Sequence, residues 1–210
     1  MSRNYVKNVS KIVGFLFVLQ LLRIGIKSAC FLVVDRTYYS DRIASLFAMI
    51  LLSALILLIA KFRRIDLSIF PKHFGAGYII FTIIAFALFV STPILTKNDS
   101  TAEIVLLIYS AIVTPVFEEL IFRGFVWNKL NTLFQKEWIT YVMSTLLFAI
   151  WHFGYIDTIA FRVETGLANA IIWKVITGLC FGIVLGALRF KTKNCYSTML
   201  LHGVLNIFGR

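Results

Sequence analysis

Seven apolar stretches dominate the 210-residue chain, at residues 12–34, 43–60, 75–95, 102–122, 138–156, 170–188 and 195–208. A helix needs about 20 predominantly apolar residues to cross the hydrocarbon core of a bilayer. The first six stretches meet that demand. The seventh is short and rich in small and polar residues, which suits a helix covered by its neighbours. The expected fold class is therefore all-α, a polytopic transmembrane bundle of about seven helices. Composition agrees, since 60% of residues are hydrophobic and only 15% charged, against about a quarter charged in a soluble domain.

No internal repeat and no long linker interrupts the chain. It reads as one membrane-embedded domain, 1–210, with three helices in 1–101 and four in 102–208. The basic segment Met1–Lys11 precedes an apolar run that is too long for a signal peptide and contains Arg23 and Lys27, so a retained first helix is expected. Cys30, Cys180 and Cys195 form no CxxC pair, and neither a disulfide framework nor a thiolate zinc site is implied.

The net charge of +11 does not point to nucleic acid, because the cations lie between apolar runs. There they set orientation in a bilayer, which is the partner expected. With the N-terminus inside, 13 of the 21 Lys and Arg fall in inside segments and 5 in outside segments. The expected location is the cell membrane, multi-pass, with a cytoplasmic N-terminus.

Ionisable groups at membrane depth are costly and mark function. "PVFEELIFRGF" (Pro115–Phe125) carries three of them: Glu118, Glu119 and Arg123. Glu119 and Arg123 stand at i and i+4, acid first, the favourable order for an ion pair on one face. Glu118 is turned about 100° away and need not share that arginine. Phe148 and His152 share a face of the fifth helix, as do His202 and Asn206 of the seventh. Gln20, Arg23 and Lys27 share a face of the first, where packing or snorkelling accounts for them. Lys174 is expected to snorkel outward. Residue counts from the turn near 135–137 bring Glu118 and His152 to similar depth in an antiparallel hairpin. The same counts place the site in the cytoplasmic half of the bilayer, with its mouth near Phe122 and Ala149.

"EELIFR", "FAIWH" and "HGVLN" fit EExxxR, FxxxH and HxxxN, in that order on three late helices. Over residues 102–208 the chain resembles the CPBP family, formerly called Abi. That family comprises type II CAAX prenyl endopeptidases and bacteriocin-processing or immunity proteins. The resemblance implies that Glu118 and His152 activate a water, that His202 and Asn206 donate to the oxyanion, and that Glu119 and Arg123, with Phe148, hold the frame. Elementary chemistry is compatible: a carboxylate in an apolar pocket can act as base, and an imidazole and an amide can stabilise developing negative charge. Glu118, His152 and His202 could also hold zinc, since two histidines and a carboxylate with an open position make a hydrolytic metal set. The metal-free glutamate mechanism is the reading preferred, and a metalloprotease is its alternative.

Two functions from different classes are compatible with these residues. One is an intramembrane endopeptidase acting on a membrane-associated protein or peptide, such as a CAAX-type tail, a leader or a bacteriocin or signal peptide. The other is a bacteriocin self-immunity or regulatory membrane protein that binds without cleaving.

Overall fold

The computed structural model describes residues 2–97 and 100–209, and among these the regular secondary structure is helical, without strands. Seven rods succeed one another: α1 (Ser2–Cys30), α2 (Tyr38–Phe62), α3 (Ala76–Thr96), α4 (Thr101–Phe134), α5 (Glu137–Arg162), α6 (Leu167–Thr192) and α7 (Cys195–Phe208). The first six are long and apolar enough to cross a membrane, and α7 is the shorter one. The protein is an all-α, multi-pass membrane bundle.

Local chemistry sets the helix ends. Thr37 and Ser40 form a reciprocal capping box at the start of α2, and Asn194 caps α7 through the Ser197 amide; each such cap satisfies orphan N–H groups. Lys97, Gln135 and Lys193 adopt left-handed backbone at the ends of α3, α4 and α6, the conformation that closes helix C-termini.

The core is built around α4. Phe117, Ile121, Phe122 and Val126 are fully buried and pack with Met49 and Leu52 of α2, and with Phe148 and Trp151 of α5. By contrast α3 presents Ile79, Ile80, Ile83 and Phe86 outward. A soluble helix would not expose such a row, but lipid tails solvate it at no cost.

Two faces cap the bundle. On one lie the start of α1, the loop 63–75 and the α4–α5 and α6–α7 turns. These are tied by Cys195 N–H to Ser68 O (2.9 Å), Asn128 to Asp66 O (2.7 Å), the stacked rings of Tyr5 and Phe134, and the Lys193–Glu137 ion pair. On the opposite face the α1–α2 loop meets the end of α5, where Arg162 pairs with Asp41 (3.2 Å) and Arg36 donates to Asp157 O (3.0 Å).

Candidate active site

Helix α4 changes hydrogen-bond register twice, and both changes bracket the glutamates. Residues 109–113 and 120–126 are π-helical, with an α-helical segment, Thr114–Glu119, between them. Single π-turns within α-helices are rare and cluster at functional sites. Pro115 gives a local reason for the first. The Thr114 amide bonds to Tyr109 O, five residues back, and the next amide in that register would belong to Pro115, which has none. The Ser110 carbonyl is thereby left open, and Asn206 Nδ2 of α7 donates to it at 2.8 Å. Helix α7 comes this close because residue 203 is glycine: a Cβ there would stand 2.4 Å from Ala111 O.

The second π-segment is satisfied in the same way. Arg189 donates to Arg123 O (3.0 Å) and Ser144 to Phe122 O (3.3 Å). Helix α5 breaks into a 3-10 turn at His152–Tyr155. There Gln20 of α1 donates to Trp151 O (2.9 Å) and Arg23 to Gly154 O (2.6 Å). A Cβ on Gly154 would fall 2.0 Å from Gln20 Nε2, so the side chain of α1 lies directly on the glycine.

These breaks gather the sequence-predicted residues. Glu118, His152, His202 and Asn206 line one cavity of about 640 Å³. Glu118, His152 and His202 are buried, with only 2–6% of their surface exposed. The Nδ1 of His152 lies 2.8 Å from Phe148 O. A carbonyl only accepts, so Nδ1 carries the proton and Nε2 is the free acceptor of the neutral ring. His202 turns its Nδ1 to Glu119 Oε1 (3.0 Å) and its Nε2 toward Glu118 Oε2 (3.8 Å), a gap that one water can bridge. Arg123 meets the same Glu119 oxygen at 3.2 Å and reaches Gly182 O at 3.3 Å. Phe148 is the hub: the Arg123 guanidinium lies 4.3 Å over its face, and both histidine rings stand edge-on to it, at 4.9 Å (His152) and 6.1 Å (His202).

Several expectations need correction. Glu118 is not left free, because the Tyr155 hydroxyl donates to its Oε1 at 2.5 Å. Of the two accounts offered for Arg23 and Lys27, packing is the one that holds. Both are buried, Arg23 stacked 4.4 Å over the Tyr155 ring and Lys27 held by Asp41 (2.9 Å) and Asp157 (2.8 Å). Lys174 is exposed and lines the cavity, 5.7 Å from the Tyr155 ring. Phe122 and Ala149 are buried and stand outside the cavity wall. The rim instead carries Arg162, Lys174 and Phe208, at the face opposite the N-terminus. A cytoplasmic mouth and a cytoplasmic N-terminus therefore cannot both hold.

Tyr155, Gln20 and Arg23 escaped the sequence reading of the site. Tyr155 sits three residues past the FxxxH histidine, a spacing that shares a face in a regular helix, and this was the one signal that pointed to it. Nothing local pointed from α1 to α5.

Among the described residues no three His, Cys, Asp or Glu side chains converge as metal ligands. The Nδ1 atoms of His202 and His152 are held by Glu119 and by Phe148 O, and Tyr155 holds one oxygen of Glu118, so one nitrogen of each ring and Oε2 of Glu118 are uncommitted.

A family model, the Rce1-like type II CAAX prenyl endopeptidases, matches residues 100–208, α4 through α7 and more than half of the chain. No curated protein and no solved structure matches the chain. The matched region holds all three motifs and every residue that they bring to the cavity, and the chain belongs to the Rce1-like family of type II CAAX prenyl endopeptidases.

Proposed function

We propose that the chain is a glutamate-type intramembrane endopeptidase that hydrolyses a peptide bond in a membrane-associated polypeptide. The observation that carries this reading is one cavity lined by Glu118, His152, His202 and Asn206 inside a bundle whose outer surface is apolar.

Tyr155 fixes one oxygen of Glu118, and the other is directed to the cavity. A water between Glu118 Oε2 and His152 Nε2 meets two acceptors. It loses a proton to one of them as its oxygen attacks the carbonyl carbon. The carbonyl oxygen gains the negative charge. His202, oriented through Nδ1 by Glu119, presents its Nε2 to that charge. The second N–H of the Asn206 amide is the other donor. Collapse breaks the C–N bond. The proton taken from water passes to the leaving nitrogen, and the products are a new carboxylate and a new amine.

Comparing membrane peptides from cells carrying the wild-type chain and its Glu118→Gln form tests the reading. Specific peptides should shorten only with wild type. Identical peptide sets, with function retained by Glu118→Gln, would favour a protein that binds without cleaving, the immunity or regulatory alternative.

A further inference from the structure

We propose that α3, α4 and α7 hold one zwitterionic phospholipid, with its headgroup at Arg42 and Glu103 and one acyl chain in an apolar groove on the side of α7 turned away from the catalytic cavity. The site stands whether or not the chain cleaves a peptide.

Helix α7 divides its residues between two cavities. His202, Leu205 and Asn206 line the catalytic one, and Leu200, Gly203, Val204 and Ile207 line the other. The second is a groove of about 320 Å³, walled across from α7 by Phe86 and Phe89 of α3 and by Ile112 and Val116 of α4. Its deep end is the hydrogen bond between the Thr82 and Tyr196 hydroxyls (2.7 Å). From Tyr196 to Ile207 the groove follows three turns of α7, about 16 Å. That is half of the ~30 Å hydrocarbon core, the depth of one leaflet. Phe86 and Ile112 are exposed, so the groove opens sideways to the bilayer.

At Ile207 the groove meets a polar pocket of about 470 Å³. Tyr38 and Arg42 at the start of α2, Thr92 and Thr96 at the end of α3 and Glu103 at the start of α4 line it. These helix ends share one face of the bundle, the level of a lipid headgroup. Arg42 donates to the Tyr38 hydroxyl and stacks 4.5 Å over its ring, yet its Nε is buried without a hydrogen-bond partner. The adjacent Asp41 is already shared by Lys27, Arg36 and Arg162. A buried N–H left unpaired is costly, and a phosphate oxygen supplies the acceptor in a charge-assisted bond. Cationic pockets between membrane helices take lipid headgroups in this way. Glu103 decides the kind of headgroup. Its carboxylate repels a purely anionic lipid and attracts an ammonium, so a headgroup with one phosphate and one ammonium satisfies both walls. An amphiphile with its polar end at the membrane surface and its chain toward the midplane matches the order of the two pockets.

Native mass spectrometry of the full-length chain, purified in detergent and stripped of lipid, tests the site. The chain is titrated with palmitoyl-oleoyl phosphatidylethanolamine, with the phosphatidylglycerol of the same chains, and with glycerophosphoethanolamine, the headgroup alone. One phosphatidylethanolamine should bind ahead of any other lipid, the phosphatidylglycerol more weakly and the headgroup alone not at all. Arg42→Gln removes a charge-assisted bond and should weaken phosphatidylethanolamine about tenfold or more. Val204→Phe fills the groove and should weaken both lipids together. Glu103→Gln should narrow the gap between the two lipids. Thermal unfolding in detergent checks that each variant is folded. The proposal is overturned if the wild type binds the two lipids alike, if several lipids bind with one affinity, if the headgroup alone binds as well as the lipid, or if Arg42→Gln and Val204→Phe bind as wild type does. Should those two variants not fold, Glu103→Gln decides: an unchanged ratio between the lipids overturns the site.

Discussion

Helices α1 to α3 keep one hydrogen-bond register from end to end, whereas α4 changes register twice and α5 once, each time beside a motif residue. The family model matches α4 through α7, a stretch that includes both interrupted helices. The difference shows what the irregular backbone is for. A π-turn or 3-10 turn rotates the next face of the helix and frees carbonyls. Here every freed carbonyl that matters is taken by a side chain from another helix: Ser110 O by Asn206, Arg123 O by Arg189, Trp151 O by Gln20 and Gly154 O by Arg23. The regular part is not idle, for α1 supplies two of those four donors.

The largest effect should separate chemistry from scaffold. Glu118→Gln or His152→Ala should lower the cleavage rate by about 10²–10⁴, the worth of a general base, with thermal unfolding in detergent little changed. Full activity in either variant would remove that residue from the mechanism.

Next come the buried charges, which lie in both parts. Glu119→Ala leaves Arg123 unpaired and should destabilise by about 3–5 kcal/mol. Lys27→Met in α1 strands Asp41 and Asp157 with one cation fewer, and should cost a similar amount. The pair Glu119→Gln/Arg123→Met should recover part of the loss, as read by unfolding in detergent. If Lys27→Met were harmless while Glu119→Ala was not, α1 would be a mere neighbour of the catalytic half.

Tyr155→Phe tests the bridge between the parts. A hydrogen bond to a charged group is worth about 1.5–3 kcal/mol, so kcat should fall roughly 10- to 100-fold with KM and folding nearly unchanged. An equal loss of stability would make Tyr155 a packing residue.

Glycine contacts offer a finer contrast. Gly203→Ala drives a Cβ onto the backbone carbonyl of Ala111, and Gly154→Ala drives one onto the far end of the Gln20 side chain. The first should cost about 1–3 kcal/mol, the usual penalty of overpacking. The second should cost less, because Gln20 can move, but it should still lower activity by releasing Trp151 O. The smallest effect is expected on α3, where the exposed Ile83→Ala should stay within about 0.5 kcal/mol.

Much of the architecture was legible in the residues themselves. Segment count, helical class and the Glu119–Arg123 pair came from hydropathy and from i,i+4 spacing, which act over one or two turns of one helix. The ordered motifs placed Glu118, His152, His202 and Asn206 on three helices, and the fold lines one cavity with them. Phe122 and Ala149 were misjudged because residue counts from a turn give depth along a helix and not the face that a residue presents. Each π-turn inserts extra backbone and rotates the residues beyond it, so Phe122 faces the core.

Sequence alone settled that this chain crosses a membrane, that its cations crowd one set of loops, and which polar residues had to find partners in the bundle, because burying charge in lipid admits few solutions. Tyr155 on Glu118, His202 against Glu119, Gln20 and Arg23 on the broken turn of α5, and the side on which the cavity opens were decided by packing between helices. Those contacts join residues up to 131 positions apart, and their geometry depends on how far each register change rotates a helix, which no local pattern of residues encodes.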